Sequence, residues 1–107
     1  MKKRDIYLAE IPVSNGHEQH GTRPAIVIAE PIANTVLIIP CTSNEKAASY
    51  KGTLVLKPSK ENGLSVKTIA LVFQLRAIDS KRVQKRIGTL STTEYETVKK
   101  EIHKLVN

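Results

Sequence analysis

Pro24-Ala25-Ile26-Val27-Ile28-Ala29 and, after a short break, Thr35-Val36-Leu37-Ile38-Ile39 are apolar runs rich in β-branched residues, separated by Pro31 and Asn34 and closed by Pro40. Branching at Cβ restricts χ1 in a helix and packs well on a pleated surface, so both runs predict strands. Their short length and proline-marked ends favour strands over a buried helix. Outward from this pair the pattern repeats. Asp5 to Ile11 alternates loosely, with Ile6 and Leu8 on one face and Tyr7 on the other. Thr53-Leu54-Val55-Leu56 and Thr68-Ile69-Ala70-Leu71-Val72-Phe73 continue the series, and Arg76-Ala77-Ile78 and Val83 to Ile87 are weaker members. Turn signals at Ser14-Asn15-Gly16, Asn62-Gly63 and Gly88 divide the pieces. Five or six short strands punctuated in this way predict a small β-barrel or sandwich, and 107 residues read as a single domain, 1–107.

The end of the chain changes period. Ser91-Thr92-Thr93-Glu94 is a capping box, and Leu90 and Tyr95 stand where a hydrophobic staple would close it. Tyr95, Val98, Ile102 and Leu105 then recur at three- and four-residue spacing, predicting a terminal helix with one apolar stripe. Glu96 and Lys100 are spaced to pair one turn apart, and His103 falls on the polar side. The helix is expected to cover one side or end of the barrel.

Charge is uneven. Residues 1–50 carry five basic and five acidic side chains, so the whole net charge of +7 lies in the second half. A surplus of this size favours polyanionic partners through counterion release. No apolar run reaches membrane-spanning length, and the basic start Met1-Lys2-Lys3-Arg4 has no apolar stretch behind it. A cytoplasmic protein without a membrane partner is expected. Cys41 is the only cysteine, which rules out an internal disulfide and reads as a small apolar residue at a strand end.

Two connections stand out. Ser14 to Arg23 gathers turn residues, His17, Glu18, His20 and Arg23 in front of Pro24. Cys41 to Lys51 is long for a hairpin loop. Three histidines and no clustered carboxylates leave a metal site short of ligands, and no phosphate loop, dinucleotide fingerprint or nucleophile elbow is present. No metal and no cofactor are therefore expected. Pro24 holds the backbone of Arg23 extended at a loop-to-strand junction, from which a guanidinium can grip a phosphate by two parallel hydrogen bonds. A surface salt bridge, for instance with Glu18, is the plainer reading of Arg23. Thr42, in Pro40-Cys41-Thr42-Ser43, reads equally well as a turn hydroxyl.

The run Gly16-x-Glu18-Gln19-x-Gly21-Thr22-Arg23-Pro24, followed by Pro40-Cys41-Thr42-Ser43 and Gln74-Leu75-Arg76-Ala77-Ile78-Asp79-Ser80-Lys81-Arg82, resembles the MazF/PemK family of toxin endoribonucleases. The order holds to the closing Ile87-Gly88-Thr89-Leu90-Ser91 and the terminal helix. The resemblance implies a mainly β fold with a C-terminal helix, an SH3-like β-barrel of the MazF/PemK/CcdB-like kind. It also implies a homodimer, a single-stranded RNA substrate cut at short sequences, and an antitoxin partner that covers the RNA site. Carried over by motif, Arg23 and Thr42 correspond to the catalytic arginine and threonine. Glu18 is a further catalytic candidate, as general base, and Glu18 and Gln19 line the groove. His17 or His20 is the candidate acid. His17, Gln19, Thr22, Ser43, Gln74, Arg76, Lys81, Arg82 and Arg86 are the expected RNA-binding residues, with Lys85 adding phosphate affinity. Some family members place an arginine and an aspartate just before the glutamine. Here those positions read Leu71-Val72-Phe73-Gln74, so that pair is absent.

The implied chemistry is metal-free. The 2′-hydroxyl of RNA attacks its own phosphate, leaving a 2′,3′-cyclic phosphate and a 5′-hydroxyl. With Tyr7, Tyr50, Phe73 and Tyr95 as the only aromatics, base selection is expected to rest on loop hydrogen bonds more than on stacking. The competing classes are a gyrase-poisoning barrel toxin that acts by protein contact, an RNA-binding module that does not cut, and a basic adaptor.

Overall fold

The computed structural model describes residues 1–12 and 21–107. Seven strands are present: β1 (Asp5–Ile11), β2 (Gly21–Ile32), β3 (Thr35–Thr42), β4 (Thr53–Leu56), β5 (Thr68–Leu71), β6 (Arg76–Asp79) and β7 (Val83–Thr89). One helix, α1 (Thr92–Val106), follows them. All pairings are antiparallel, in the order β4-β5-β3-β2-β1-β7, with β6 pairing β3 as well. β3 is the hub. One edge meets β2, and the other is shared by β6 along Thr35–Ile38 and β5 at Cys41 and Thr42. The predicted barrel is thus a curved, barrel-like sheet whose pairing does not close from β4 to β7.

The two deciding runs are strands because both of their faces are buried. Ile26 and Ile28 of β2, with Ile39 and Cys41 of β3, pack in the core beneath α1. Ala25, Val27, Val36 and Ile38 point the other way into a second core with Ala9, Ile11 and Ile78. A strand buried on both sides needs apolar residues at consecutive positions, which explains why these runs do not alternate. Register shifts between Val27 and Ala29 and at two points between β1 and β7 supply the curvature.

Between β2 and β3 the chain reverses through Ala33 and Asn34, at φ 51° and 65°. Two consecutive left-handed residues match the right-handed twist of the flanking strands, but alanine is poorly suited to that region. Ala33→Asn is expected to raise stability by about 0.5–1 kcal/mol, read as a higher denaturation midpoint at unchanged m-value. Ala33→Val is expected to lower it.

The terminal helix follows its capping signal. Ser91 Oγ accepts from Glu94 N at 3.0 Å, Glu94 Oε1 accepts from Ser91 N at 2.8 Å, and Leu90 and Tyr95 share the first core. Tyr95 and Val98 are buried and Ile102 packs against the same core, whereas Leu105 is largely exposed. Glu96 pairs with Lys99 at 3.0 Å, one residue nearer than the expected Lys100. His103 is exposed, as its position on the polar side predicts.

Two segments depart from the expectation. The long connection after Cys41 is not irregular: Cys41 and Thr42 finish β3, and Glu45–Ser49 forms a 3-10 turn capped by Asn44. The expected strand 68–73 stops at Leu71, and Val72–Gln74 turns into 3-10 form. Here a backbone bond from Phe73 N to Gly52 O replaces strand pairing.

Candidate active site and nucleic-acid interface

The register between β2 and β3 organises the site. Ala25 faces Pro40, Ile26 faces Ile39 and Val27 faces Ile38. Arg23 and Thr42 each lie two residues beyond Ala25 and Pro40, the last pair of β2 with β3, and Thr42 itself pairs with Ile69 of β5. Alternation along each strand puts both on the side of Ala25, Val27 and Ile38, that of the second core. Arg76 lies opposite Ile38 and joins that face, where one guanidinium nitrogen donates to the carbonyl of Pro12 at 3.5 Å. Arg23 itself lies opposite Ala9 of β1. Arg23 and Thr42 therefore lie toward one end of one face, near the point where β1 leads into residues 13–20, and Arg76 lies on that face four residues back along β3 from Thr42. Gln74 sits in the turn just before β6 and lines a cleft of about 570 Å³ together with Thr42. His17, Glu18, Gln19 and His20 lie outside the described residues.

The pleat sends the neighbours of these residues the other way. Thr22 and Ser43, each one position from the pair, line a separate cleft of about 520 Å³ with Pro24, Leu64 and Lys85. Arg23 borders this cleft, whereas Thr42 lines the other.

Thr42 is 3% exposed, and its Oγ1 accepts from Asn44 N at 3.1 Å. The turn role anticipated for this hydroxyl is thus real. It is also compatible with chemistry, because an accepting hydroxyl keeps its O–H to donate. Arg23 is partly buried at the third position of β2, held extended by Pro24 and by pairing on the β1 side.

Of the other expected RNA-binding cations, Lys81 and Arg82 line a cleft apart from the pair, whereas Arg86 lines the same cleft as Arg23, Thr22 and Ser43. Arg82 meets Glu10 at 2.8 Å, and Arg86 meets the buried Asp5 carboxylate at 3.5 Å. Lys81 follows the Asp79 cap at the edge of a third cleft with Arg82 and Glu10. For Arg82 and Arg86 a nearby carboxylate engages part of the guanidinium, and the remaining donors face outward.

Sequence reasoning overlooked Asn44, Lys46, Tyr50 and Lys51, which line the Thr42 cleft. The Asn44 cap was readable, since Asn44 Oδ1 accepts from Lys46 N at 3.1 Å in an ordinary N-cap arrangement. Nothing local to Tyr50 or Phe73 signals that they meet.

Among the described residues no three His, Cys, Asp or Glu side chains gather where they could hold a metal ion. Cys41 is fully buried, and burial pushes its thiol up to about 12. The thiol stays protonated from pH 6 to 9, so it is a packing residue and not a nucleophile. The native protein is expected to resist alkylation by iodoacetamide at pH 8 and to react promptly once unfolded, as followed by mass spectrometry. No described helix is long and apolar enough to cross a membrane.

The chain is similar to several known proteins. The chain is 28% identical over 102 residues to the Endoribonuclease MazF of Staphylococcus saprophyticus, covering 92% of this chain and 84% of that one. A crystal structure of MazF (Form-I) from Deinococcus radiodurans matches with a TM-score of 0.82 at 22% identity, over 99% of this chain and 96% of that one. A chain of a MazE-MazF crystal structure (Form-II) from the same organism matches at 0.74 and 21% identity, over 99% and 95%. These two likenesses fix the fold. The family model described as PemK-like, MazF-like toxin of type II toxin-antitoxin system matches residues 2–106, and the chain belongs to that family.

Proposed function

We propose that residues 1–107 act as one toxin domain, a metal-independent endoribonuclease that cuts single-stranded RNA through the RNA's own 2′-hydroxyl. The observation that supports this is the β2–β3 pairing, which ends at Ala25 and Pro40 and leaves Arg23 and Thr42 each two residues beyond its last pair, in a chain of net charge +7. A relative carrying the name Endoribonuclease MazF supports the same activity.

The reaction needs one oxygen aligned and one charge stabilised. The 2′-oxygen forms a bond to phosphorus, the bond from phosphorus to the 5′-oxygen breaks, and negative charge builds on the non-bridging oxygens. Arg23 stabilises that charge through two parallel hydrogen bonds. Thr42 donates its O–H to the same phosphate, while Asn44 N fixes the hydroxyl from the other side. Arg76 and Gln74 hold the adjoining stretch of RNA. Glu18 takes the proton from the 2′-hydroxyl, and His17 or His20 returns one to the leaving 5′-oxygen. Products are a 2′,3′-cyclic phosphate and a 5′-hydroxyl. No activated water takes part, so no metal is required.

Two partnerships complete the reading. A cognate antitoxin covers the RNA site, as membership of a toxin–antitoxin family suggests. The toxin works as a homodimer in the cytoplasm, where its RNA substrate is found. Incubating purified protein with a long RNA in excess EDTA tests the activity: cleavage should persist, and its abolition by EDTA would defeat the metal-free mechanism.

A further inference from the structure

Two of the four aromatic side chains in this sequence stand together beside Thr42. Tyr50 and Phe73 line the cleft that contains Thr42 and Gln74, with ring centroids 6.3 Å apart and planes at 87°. Their surfaces are 62% and 43% exposed. A phenol ring turned to water beside a buried polar residue is unusual, since aromatic area is normally withdrawn from solvent.

Tyr50 is held in place. Its N–H donates to Ala47 O at 3.1 Å, and its carbonyl accepts from Thr53 Oγ1 at 2.8 Å. Phe73 meets it nearly edge to face and is tied to Gly52 by a backbone bond of 3.1 Å. A T-shaped contact with Phe73 covers at most one face of the tyrosine ring. Lys46 and Lys51 line the same cleft, and among the described residues no carboxylate does. The cleft thus combines a fixed aromatic surface, two cations and amide groups from Asn44 and Gln74. Those are the components that hold one unpaired nucleotide: a stacking face for the base, cations for its phosphate, and donors and acceptors for its edge.

We propose that Tyr50, braced by Phe73, is a stacking platform for a nucleotide of single-stranded RNA flanking the phosphate held by Arg23 and Thr42. This rests on the ribonuclease reading above and adds to it a defined base subsite. It also changes the expected basis of selectivity: stacking is scarce along the chain but concentrated at the site.

The test uses single-stranded RNA made uncleavable by a 2′-deoxy nucleotide at the scissile position, with 2-aminopurine placed at successive positions. Wild-type protein should change the 2-aminopurine fluorescence at one position next to the scissile phosphate. Tyr50→Leu should abolish that signal and weaken binding roughly 5- to 150-fold, the range for loss of one stacked base. Tyr50→Phe should preserve both, and Phe73→Leu should weaken both partially. Equal affinity and an unchanged signal in Tyr50→Leu would overturn the platform while leaving the ribonuclease reading intact. So would a loss of RNA binding that merely tracks loss of self-association in sedimentation, which would assign the aromatic pair to a contact between two copies. Wild-type protein that neither binds nor cuts RNA would overturn both.

Discussion

Arg23→Ala is expected to cut RNA at least 100- to 1,000-fold more slowly than the parent protein, the range typical for loss of one donor to a developing charge. The loss should fall on kcat, because the guanidinium matters most when charge accumulates on the phosphoryl oxygens. Arg23→Lys should recover only part of it, since an ammonium keeps the charge but not the paired donors. Thr42→Ser keeps the hydroxyl and is expected to stay near the parent rate, whereas Thr42→Val should fall with the arginine variant. Thr42→Val also leaves Asn44 N without its acceptor, at a cost of about 1 kcal/mol in stability, so its rate should be measured on protein shown to be folded. Single-turnover kinetics on a short RNA would separate these effects. Full activity in Arg23→Ala would remove this residue from the chemistry.

Gly88→Ala is expected to be strongly destabilising. A Cβ at this position of β7 would lie 2.4 Å from the carbonyl oxygen of Glu61 and 2.5 Å from the carbonyl carbon of Asn62. Both are backbone atoms that cannot swing aside. Their segment is itself anchored: Asn62 is fully buried, its Oδ1 accepts from Ser59 N and Leu64 N, and its Nδ2 donates to Lys57 O and Glu94 Oε2. Relief would require moving the 59–64 turn away from the start of α1. A cost of about 3 kcal/mol or more follows, at the upper end for overpacking, with a fall of at least about 10 °C in Tm. Thermal unfolding followed by circular dichroism reads this directly, and a Tm within a few degrees of the parent would show that the turn can shift.

Much of this architecture is legible in the chain itself. The capping box at Ser91 and Glu94 needs only local hydrogen bonds, and the runs 24–29 and 35–39 carry their strand preference in their own side chains. What is local to a few residues is readable. The shortening of the expected strand 68–73 is not, because Val72 and Phe73 have good strand propensity and yield only to a tertiary backbone bond with Gly52. The two-sided burial of β2 and β3 is a property of the whole sheet.

The site divides along the same line. Pro24 makes Arg23 conspicuous, and resemblance to a known family singles out Thr42. That both lie two residues beyond the last pair of β2 with β3 depends on a register that the sequence does not state. The commitment of Arg82 to Glu10 and of Arg86 to Asp5 joins residues more than 70 positions apart. Tyr50 and Phe73 meet for similar reasons, through the 3-10 turn after Thr42 and the early end of β5.

The central claim is that this chain cleaves RNA by 2′-hydroxyl attack at Arg23 and Thr42. Its most direct test is to sequence the 5′ ends of a long RNA incubated with purified protein in excess EDTA, alongside Arg23→Ala. The mechanism predicts discrete sites at a short shared sequence, 5′-hydroxyl ends that a polynucleotide kinase labels without prior phosphatase treatment, and no such ends with the variant. Ends bearing 5′-phosphate, or an identical pattern with Arg23→Ala, would contradict it.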